Sequence, residues 1–297
     1  MSCQIQRSMI NIEDFIGNSS LFKKFEVDDL LFVEIVCPVE EDASTTKLWW
    51  HNNFFSYAIA GEMELKTLRG EYRVKAGDCG FIKKGSIMGY RHIIQEDFCE
   101  LRVFVSDDFI KNVFQKYRIP LVTSELNRKT DTIIPLTTDA VLDAYFHSLL
   151  TYFRQPTPPS ETLLKLKFEE LLVNILSNNT HRTLKCFLSE LCTSAKPSIK
   201  EIMEANFFNN LSLNEFSRLC ARSLSAFKQE FKSIFQTTPG KWLQEKRLEY
   251  SRYLLETTDC SIDEICEMSG FENRSHFNRS FKNKYGLTPG KTSQHLF

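Results

Sequence analysis

The sequence predicts a two-part α+β protein, in which a β-rich N-terminal half is followed by an all-α C-terminal half. Three observations lead to this class. Short apolar segments separated by turn-forming residues continue to about residue 135. From Thr138 onward, apolar residues recur at helical spacing. In the last ninety residues, one helix-turn-helix unit occurs twice, fifty positions apart.

Composition indicates a globular protein without a membrane span. The chain has 297 residues, of which 42% are hydrophobic and 25% charged, so one large or two ordinary domains are expected. No apolar run reaches the ~20 residues of a membrane helix, and the polar first ten residues do not resemble a signal peptide. The nine Cys show neither a Cys-x-x-Cys pair nor zinc-ligand spacing with His. We therefore expect reduced thiols and a cytoplasmic location.

Residues 1–135 are predicted to form a β domain. The predicted strands are Leu30–Val36, Phe54–Ala60, Glu62–Thr67, Tyr72–Lys75, Cys79–Lys83, Met88–Ile94 and Phe98–Val105. Turn signals such as Ala60-Gly61 and Lys84-Gly85 separate them. Seven short strands at this spacing favour a sandwich or a small barrel, and Asp107–Tyr117 is predicted to be a short helix.

Residues 136–194 are predicted to be a helical segment between two domains. Ala140–Phe153 and Thr162–Asn178 have helical spacing, and Ser160 is placed to cap the second helix. The second helix carries one apolar stripe, made of Leu164, Phe168, Leu171, Leu172 and Ile175. The stripe favours a dimer contact, with packing against the β domain of the same chain as the alternative. Ala195-Lys196-Pro197-Ser198 marks the next boundary.

The repeat defines a third region, residues 195–297. Ser225, Phe227, Phe231, Lys232, Thr238, Pro239, Gly240 and Lys241 recur as Ser275, Phe277, Phe281, Lys282, Thr288, Pro289, Gly290 and Lys291. Each unit starts with a Ser-x-x-Glu capping box, at Ser212 and at Ser261. The second helices are predicted at Ser225–Phe235, with Phe227, Phe231, Ile234 and Phe235 buried, and at Arg274–Tyr285, with Phe277 and Phe281 buried.

The two units are predicted to be joined by one continuous helix. Lys241–Glu256 would span about 24 Å, and its apolar contacts are assigned to Trp242, Leu243, Leu248, Tyr253, Leu254 and Leu255. Such a helix could place two recognition helices in successive major grooves, about 34 Å apart.

Basic residues are concentrated on the repeated units, although the net charge is only -1. Residues 218–252 contain eight Lys/Arg and three Glu, and residues 273–291 contain five Lys/Arg and no acid. Local positive patches on a neutral chain favour binding of a polyanion to one face. The alternative is a pair of solvated helix faces.

Side-chain chemistry divides the outward residues into base readers and phosphate contacts. Arg and Lys suit guanine and Asn and Gln suit adenine, which makes Lys228, Gln229, His276, Asn278 and Arg279 candidate base readers. The predicted phosphate contacts are Arg222, Lys232, Lys241, Arg274 and Lys282. By chemistry alone, Ser225 and Ser275 favour phosphate.

Residues 198–291 resemble the AraC/XylS family of transcriptional regulators. The matching segments are Asp263-Glu264-Ile265, Gly270-Phe271, Ser275–Lys282, Tyr285–Pro289, and Arg247-Leu248 with Leu254-Leu255 in the linker. The resemblance implies a seven-helix DNA-binding domain on an asymmetric site. It also implies that the base readers are Ser225, Lys228 and Gln229 in the first unit, and Ser275, His276 and Arg279 in the second.

Residues 74–85 resemble the strand–turn–strand of a cupin barrel, which is found in many AraC-type regulators. The His-x-His and Glu of metal-binding cupins are missing after Gly85, and His51 and His92 lack the spacing of ligands. We therefore expect no metal, no cofactor and no enzymatic activity.

Two kinds of regulatory partner remain open for the predicted barrel. A small effector could bind an apolar pocket lined by Trp49, Phe54, Phe55, Tyr57, Phe81 and Tyr90. A regulatory protein could bind instead, because residues 81–85 and 107–110 resemble the subgroup of type III secretion activators. The second interpretation is favoured, and the aromatic set is equally consistent with an ordinary core.

We therefore expect a transcription regulator, specifically an activator, with promoter DNA and RNA polymerase as partners and a homodimer contact through residues 139–180. One alternative is a cupin-type metalloenzyme with a structural helical tail. The other is a protein-interaction module whose C-terminal half does not bind DNA.

Overall fold

The computed structural model describes residues 10–39, 44–67, 70–122, 132–177, 180–193, 197–258 and 260–294, without the side chains of residues 44–47, 67, 86–90, 95 and 293–294. The chain divides into two compact units. The N-terminal unit contains Asn11–Gly85 and Gly89–Lys196, and the C-terminal unit contains Pro197–Phe297. No helix in the described ranges is long and apolar enough to cross a membrane.

The N-terminal unit contains an antiparallel sheet. Its strands are β1 (Ile10–Asn11), β2 (Lys24–Val27), β3 (Leu30–Cys37), β4 (Ser44–Trp50), β5 (Asn53–Thr67), β6 (Gly70–Lys75), β7 (Cys79–Ile82), β8 (Gly85–Val105) and β9 (Ile133–Leu136). Strands β5 and β8 form the centre of the sheet and pair with each other. Strand β5 also pairs with β6 and β7, and β8 also pairs with β3 and β4.

The helices are divided between the two units. They are α1 (Ile12–Asn18), α2 (Asp107–Lys116), α3 (Ala140–Arg154), α4 (Glu161–Ser177) and α5 (Arg182–Thr193) in the N-terminal unit. The C-terminal unit contains α6 (Ile199–Asn206), α7 (Leu213–Leu219), α8 (Leu224–Phe235), α9 (Pro239–Thr257), α10 (Ile262–Met268), α11 (Arg274–Tyr285) and α12 (Pro289–Gln294). The predicted α+β class, with a β-rich N-terminal part and a helical double helix-turn-helix part, is confirmed.

Gly61 forms a bulge where the sequence predicted a turn. Two predicted strands on either side of it are one strand, β5, whose pairing with β8 shifts register between Ala58 and Glu62. Gly61 has φ +75°, and a Cβ there would lie 2.5 Å from the Asp97 carbonyl oxygen. Glycine is therefore required by both the backbone angle and the close approach of β8. The predicted strands Met88–Ile94 and Phe98–Val105 are likewise parts of one strand, β8.

One face of the sheet packs against helices of the same chain. The Tyr57 ring stacks on Phe146 of α3 with centroids 4.4 Å apart, and its hydroxyl donates a hydrogen bond to Asp143. Phe55 contacts Phe81 on the sheet and Phe168 of α4, at centroid distances of 4.9 and 6.2 Å. These aromatic contacts connect α3 and α4 to the sheet in one hydrophobic core.

The apolar stripe of α4 is buried inside this core, so it is not free to form the favoured dimer contact. All five of its predicted members are at most 3% exposed: Leu164, Phe168, Leu171, Leu172 and Ile175. The alternative interpretation, packing against the β domain of the same chain, is therefore correct for this stripe. The sequence could not separate the two because any apolar surface produces the same helical period.

We predict that Phe168→Ala destabilises the N-terminal unit strongly. The ring is fully buried between Phe55 and Phe109, so its removal should lower the free energy of unfolding by about 3–5 kcal/mol. Urea unfolding followed by circular dichroism measures this. Leu166→Ala on the same helix is the control, because Leu166 is 51% exposed. This variant should lower the free energy of unfolding by less than about 0.5 kcal/mol. Equal effects of the two variants would contradict the packing of α4 on the sheet.

Candidate nucleic-acid interface

The first repeated unit presents α8 through two helix caps and a left-handed turn. Ser212 forms the predicted capping box with Glu215 at the start of α7. Helix α7 ends at Leu219 with Cys220 as its C-cap, and Ala221 then adopts φ +51°, which turns the chain towards the N-cap Ser223 of α8. The turn is therefore made by a non-glycine residue in a conformation that glycine adopts more readily.

Two phenylalanines determine which side of α8 faces outward. Phe227 and Phe231 are fully buried, and the Phe231 ring lies 5.9 Å from Trp242 of α9. The opposite side of α8 exposes four polar residues at positions i, i+3, i+4 and i+7, namely Ser225, Lys228, Gln229 and Lys232. This spacing gives one continuous polar stripe along the helix.

The second unit repeats this arrangement with one more residue in its turn. Ser261 and Glu264 form the capping box of α10, and Gly270 adopts φ +79°. The Asn273 side chain then caps α11 by accepting hydrogen bonds from the Ser275 and His276 amides. The predicted longer turn and its left-handed glycine are both present.

Helix α11 presents a stripe equivalent to that of α8. Phe277 and Phe281 are fully buried. Ser275, Arg279 and Lys282 are exposed and Asn278 is half-buried, again at positions i, i+3, i+4 and i+7. His276 is exposed beside this stripe, and its Nε2 lies 3.4 Å from Ser280 Oγ, which also accepts a hydrogen bond from Gln244 of α9.

Helix α9 carries both units. Its first half packs Trp242 against α8, and its second half contributes Leu248, Leu254 and Leu255 to the hydrophobic core around Phe277 and Phe281. The helix has 19 residues and is therefore about 28 Å long. Through these contacts α8 and α11 belong to one compact unit.

Two residues differ from their predicted burial. Ile234 of α8 is 45% exposed and Tyr253 of α9 is 58% exposed, although both were expected to make core contacts. The stacked pair Phe231 and Phe235 already covers the inner side of α8, with centroids 4.4 Å apart. Ile234 therefore points away from the core, because neighbouring positions on a helix face different directions.

Arg222 is engaged within the protein, which counts against its predicted role as a phosphate contact. Its guanidinium forms two hydrogen bonds of 2.7 Å with the carboxylate of Glu230, and it also donates to the carbonyl oxygens of Pro197 and Cys220. Its side chain is only 6% exposed. The turn sequence shows a cation beside an outward-facing helix, but it does not show that three acceptors surround that cation.

The other predicted phosphate contacts are accessible. Lys232, Lys241 and Lys282 are exposed, and Arg274 is 54% exposed although its Nη1 donates to Asp263 Oδ2 at 2.6 Å. Exposed cations next to the polar stripes of α8 and α11 could neutralise phosphates on either side of a groove.

The predicted effector pocket is not assembled as one cluster. Tyr57 and Phe81 face the helices, whereas Phe54 lies on the opposite face of the sheet beside Phe104 and Trp50. Trp49 is buried, and the side chain of Tyr90 lies outside the described residues. Tyr57 and Phe81 therefore serve as core residues.

The opposite face of the sheet contains a polar group that the sequence analysis missed. The buried carboxylate of Glu100 accepts hydrogen bonds from Ser56 Oγ and Arg102 Nη2, each at 2.5 Å, and Arg102 lies over the Phe54 ring. The signal was present in Phe98–Val105, where two charged residues alternate with apolar ones inside a strand. In the described ranges, no group of three or more His, Cys, Asp or Glu could hold a metal ion.

Both units have counterparts among known families. Residues 53–187 match the family described as the ExsA N-terminal regulatory domain, and residues 216–295 match a family described as a helix-turn-helix domain. Both parts of the chain thus match domains of AraC-type regulators, and the protein is a DNA-binding transcription regulator with an N-terminal regulatory domain.

Individual relatives cover most of the chain. The HTH-type transcriptional regulator ExsA of Pseudomonas aeruginosa is 26% identical over 242 residues, which are 80% of this chain and 84% of ExsA. The virulence regulon transcriptional activator VirF of Yersinia enterocolitica is 24% identical over 236 residues, covering 78% and 86% of the two chains. Among solved structures, an apo form of ToxT from Vibrio cholerae is similar, with a TM-score of 0.44, 16% identity, and coverage of 90% of this chain and 98% of ToxT.

We predict that Arg222→Gln destabilises the C-terminal unit without changing the salt dependence of DNA binding. Glutamine loses both the charge and the forked contacts to Glu230 and the two carbonyl oxygens, so the free energy of unfolding should fall by about 1.5–3 kcal/mol, whereas the salt slope falls only if residue 222 neutralises a phosphate. Urea unfolding and DNA affinity at several salt concentrations measure the two effects. A stable variant with a reduced salt slope would restore Arg222 as a phosphate contact.

Proposed function

We propose that the protein activates transcription by inserting α8 and α11 into two successive major grooves of promoter DNA. The observation that carries this proposal is the pair of equivalent polar stripes, each opposite two buried phenylalanines and joined through one helix about 28 Å long. That length is close to one turn of DNA, about 34 Å. Two recognition helices on one rigid body would read an asymmetric site of two elements.

The roles of the stripe residues follow from their chemistry and position. Lys228, Gln229 and Arg279 lie in the middle of each stripe and are proposed to contact base edges. Ser225, Ser275 and His276 lie in the first turn of each helix, where base edges and phosphates are both within reach, and Asn278 is proposed as a further base reader. Lys232, Lys241, Arg274 and Lys282 are proposed to contact phosphates.

The proposed regulation acts through the N-terminal unit. We favour a protein regulator over a small effector, because Tyr57 and Phe81 of the predicted pocket already pack against side chains of the same unit.

Activation of transcription is supported by the similarity to VirF, which is itself described as an activator. Activation in turn implies contact with RNA polymerase. A homodimer is proposed to use residues other than the buried stripe of α4, and sedimentation of the full chain tests it.

The proposed activity is binding rather than catalysis, in the cytoplasm where promoter DNA is found. The relatives ExsA and VirF are described as transcription regulators. Metal analysis of the purified protein tests the alternative of a cupin-type metalloenzyme. The alternative would replace the present proposal for the N-terminal unit on two results. The protein would have to bind a transition metal stoichiometrically, and removal of that metal would have to abolish a measurable enzymatic activity.

Selection of DNA from a random pool by the full chain tests the proposed function directly. The expected result is one asymmetric motif of two elements, separated by about one helical turn, with affinity that falls steeply with salt. A motif with a single element would contradict two-groove binding. Weak binding to all DNA, without enrichment, would favour an interaction module that does not read sequence.

We predict that Arg279→Ala weakens binding to the selected motif and relaxes the base preference under α11. Loss of a base contact should cost about 1–3 kcal/mol in specific binding, while the preference under α8 is retained. Gln229→Ala is the matched variant, since it should relax only the other element. Binding titrations with single-base variants of the motif measure the affinity and the base preference of each protein variant. An unchanged base preference after Arg279→Ala would rule out Arg279 as a base reader.

We predict that Lys282→Ala weakens binding to every DNA sequence to a similar extent. Removal of one phosphate contact should reduce the slope of log K against log salt by about 1, because one fewer counterion is released. Lys284→Ala on the same helix is the control, since Lys284 donates to the Glu245 carbonyl oxygen and to Glu249 within the protein. Equal salt slopes for the wild type and Lys282→Ala would contradict the assignment.

A further inference from the structure

Arg247 lies at the middle of α9 and is hydrogen-bonded to the backbone that precedes the first unit. Its Nε donates to the carbonyl oxygen of Phe207 and its Nη2 donates to the carbonyl oxygen of Asn209, both at 2.7 Å. Burial lowers the pKa of Arg247 to about 10, so the guanidinium is still charged at neutral pH. A rigid, charged fork therefore holds the segment between α6 and α7 against α9.

The turn of the second unit meets the same place. Gly270 packs on the segment at Phe208, and a Cβ at position 270 would lie 2.7 Å from the Phe208 carbonyl oxygen and 3.0 Å from Arg247 Nε. Asn210 Nδ2 donates to Glu272 Oε1 at 2.6 Å across the same contact. We call this contact, made by residues 207–210, Arg247 and residues 270–272, the junction.

The junction connects the two recognition helices by a path other than the hydrophobic core. Residues 207–210 lead into α7 and so into α8, while residues 270–272 immediately precede α11. Apolar packing along α9 resists separation of the units but has little directional preference. Hydrogen bonds to two fixed carbonyl oxygens are directional, so they resist rotation and sliding of one unit relative to the other.

We propose that Arg247 is a positioning residue that sets the spacing between the two DNA elements. It would act through the junction, without touching DNA, by fixing where α11 lies relative to α8. This inference depends on the proposed two-groove binding. One added base pair moves the second element by about 3.4 Å and rotates it by about 34° around the DNA axis, so only a rigid junction discriminates between spacers.

The experiment measures binding of the full chain to the selected motif with its own spacer and with spacers one base pair shorter and longer. The wild type should lose roughly tenfold or more in affinity at either altered spacer, which is the discrimination expected when only one element can be fully engaged. Arg247→Gln should bind the three spacers with affinities within about threefold of one another, because an amide cannot provide the charged fork. Its base preferences within each element should be those of the wild type.

Leu248→Ala is the matched control for a merely structural effect. Leu248 is the next residue of α9, is 3% exposed, and belongs to the core of the second unit. This variant should be less stable than the wild type, as Arg247→Gln should be. Its DNA affinities for the three spacer lengths should nevertheless keep the ratios measured for the wild type. A spacer profile of Arg247→Gln that equals the wild-type profile would overturn the proposal, and so would a flattened profile for Leu248→Ala.

The exposed pair Asn210 and Glu272 keeps the proposal testable if Arg247→Gln does not fold. Glu272→Ala removes only the 2.6 Å contact across the junction and should flatten the spacer profile partly, whereas an unchanged profile would overturn the proposal. Failure of the proposed function has a different signature, since the wild type would then select no two-element motif. A wild type that selects two elements but tolerates all spacers overturns only the role of the junction.

Discussion

The burial of two phenylalanines on each recognition helix is the constraint on which the C-terminal unit depends. Phe227 and Phe231 on α8, and Phe277 and Phe281 on α11, fix the rotation of each helix about its own axis. With that rotation fixed, the residues at i, i+3, i+4 and i+7 on the other side can only face outward. The surface proposed to contact DNA is thus produced by packing, and the polar residues need no contacts of their own to be correctly oriented.

The same logic explains how much could be predicted from the sequence. The C-terminal helices, their capping boxes and the outward stripes are encoded locally, by caps and by apolar residues at helical spacing. Their bounds agree with the structure to within a few residues. The partners of Arg222 could not be predicted because they depend on three-dimensional packing: Glu230 is eight residues away, and Pro197 belongs to a different segment.

The N-terminal unit was less predictable for a related reason. Gly61 has the same local signature in a bulge as in a turn, and only the neighbouring strand β8 distinguishes them. Helices α1 and α5 and strands β1, β2, β4 and β9 were not predicted. Helix α1 is nevertheless held in place by Glu13, which accepts hydrogen bonds from the backbone amides of His51 and Asn52. A seven-residue helix has too few positions for its period to be recognised.

The left-handed residues give the two repeated units unequal local stability. At the ends of the first and second helices of each unit, Gly270 and Gly286 take positive φ in the second unit, but Ala221 and Gln236 take it in the first. A non-glycine residue in this region costs roughly 1–2 kcal/mol. The ends of α7 and α8 should therefore open more often than those of α10 and α11, and their amide hydrogens should exchange with solvent sooner. A duplication that looks symmetric in its outward polar residues should thus be asymmetric in its dynamics, with the more easily opened of the two helices, α8, nearer the N-terminus.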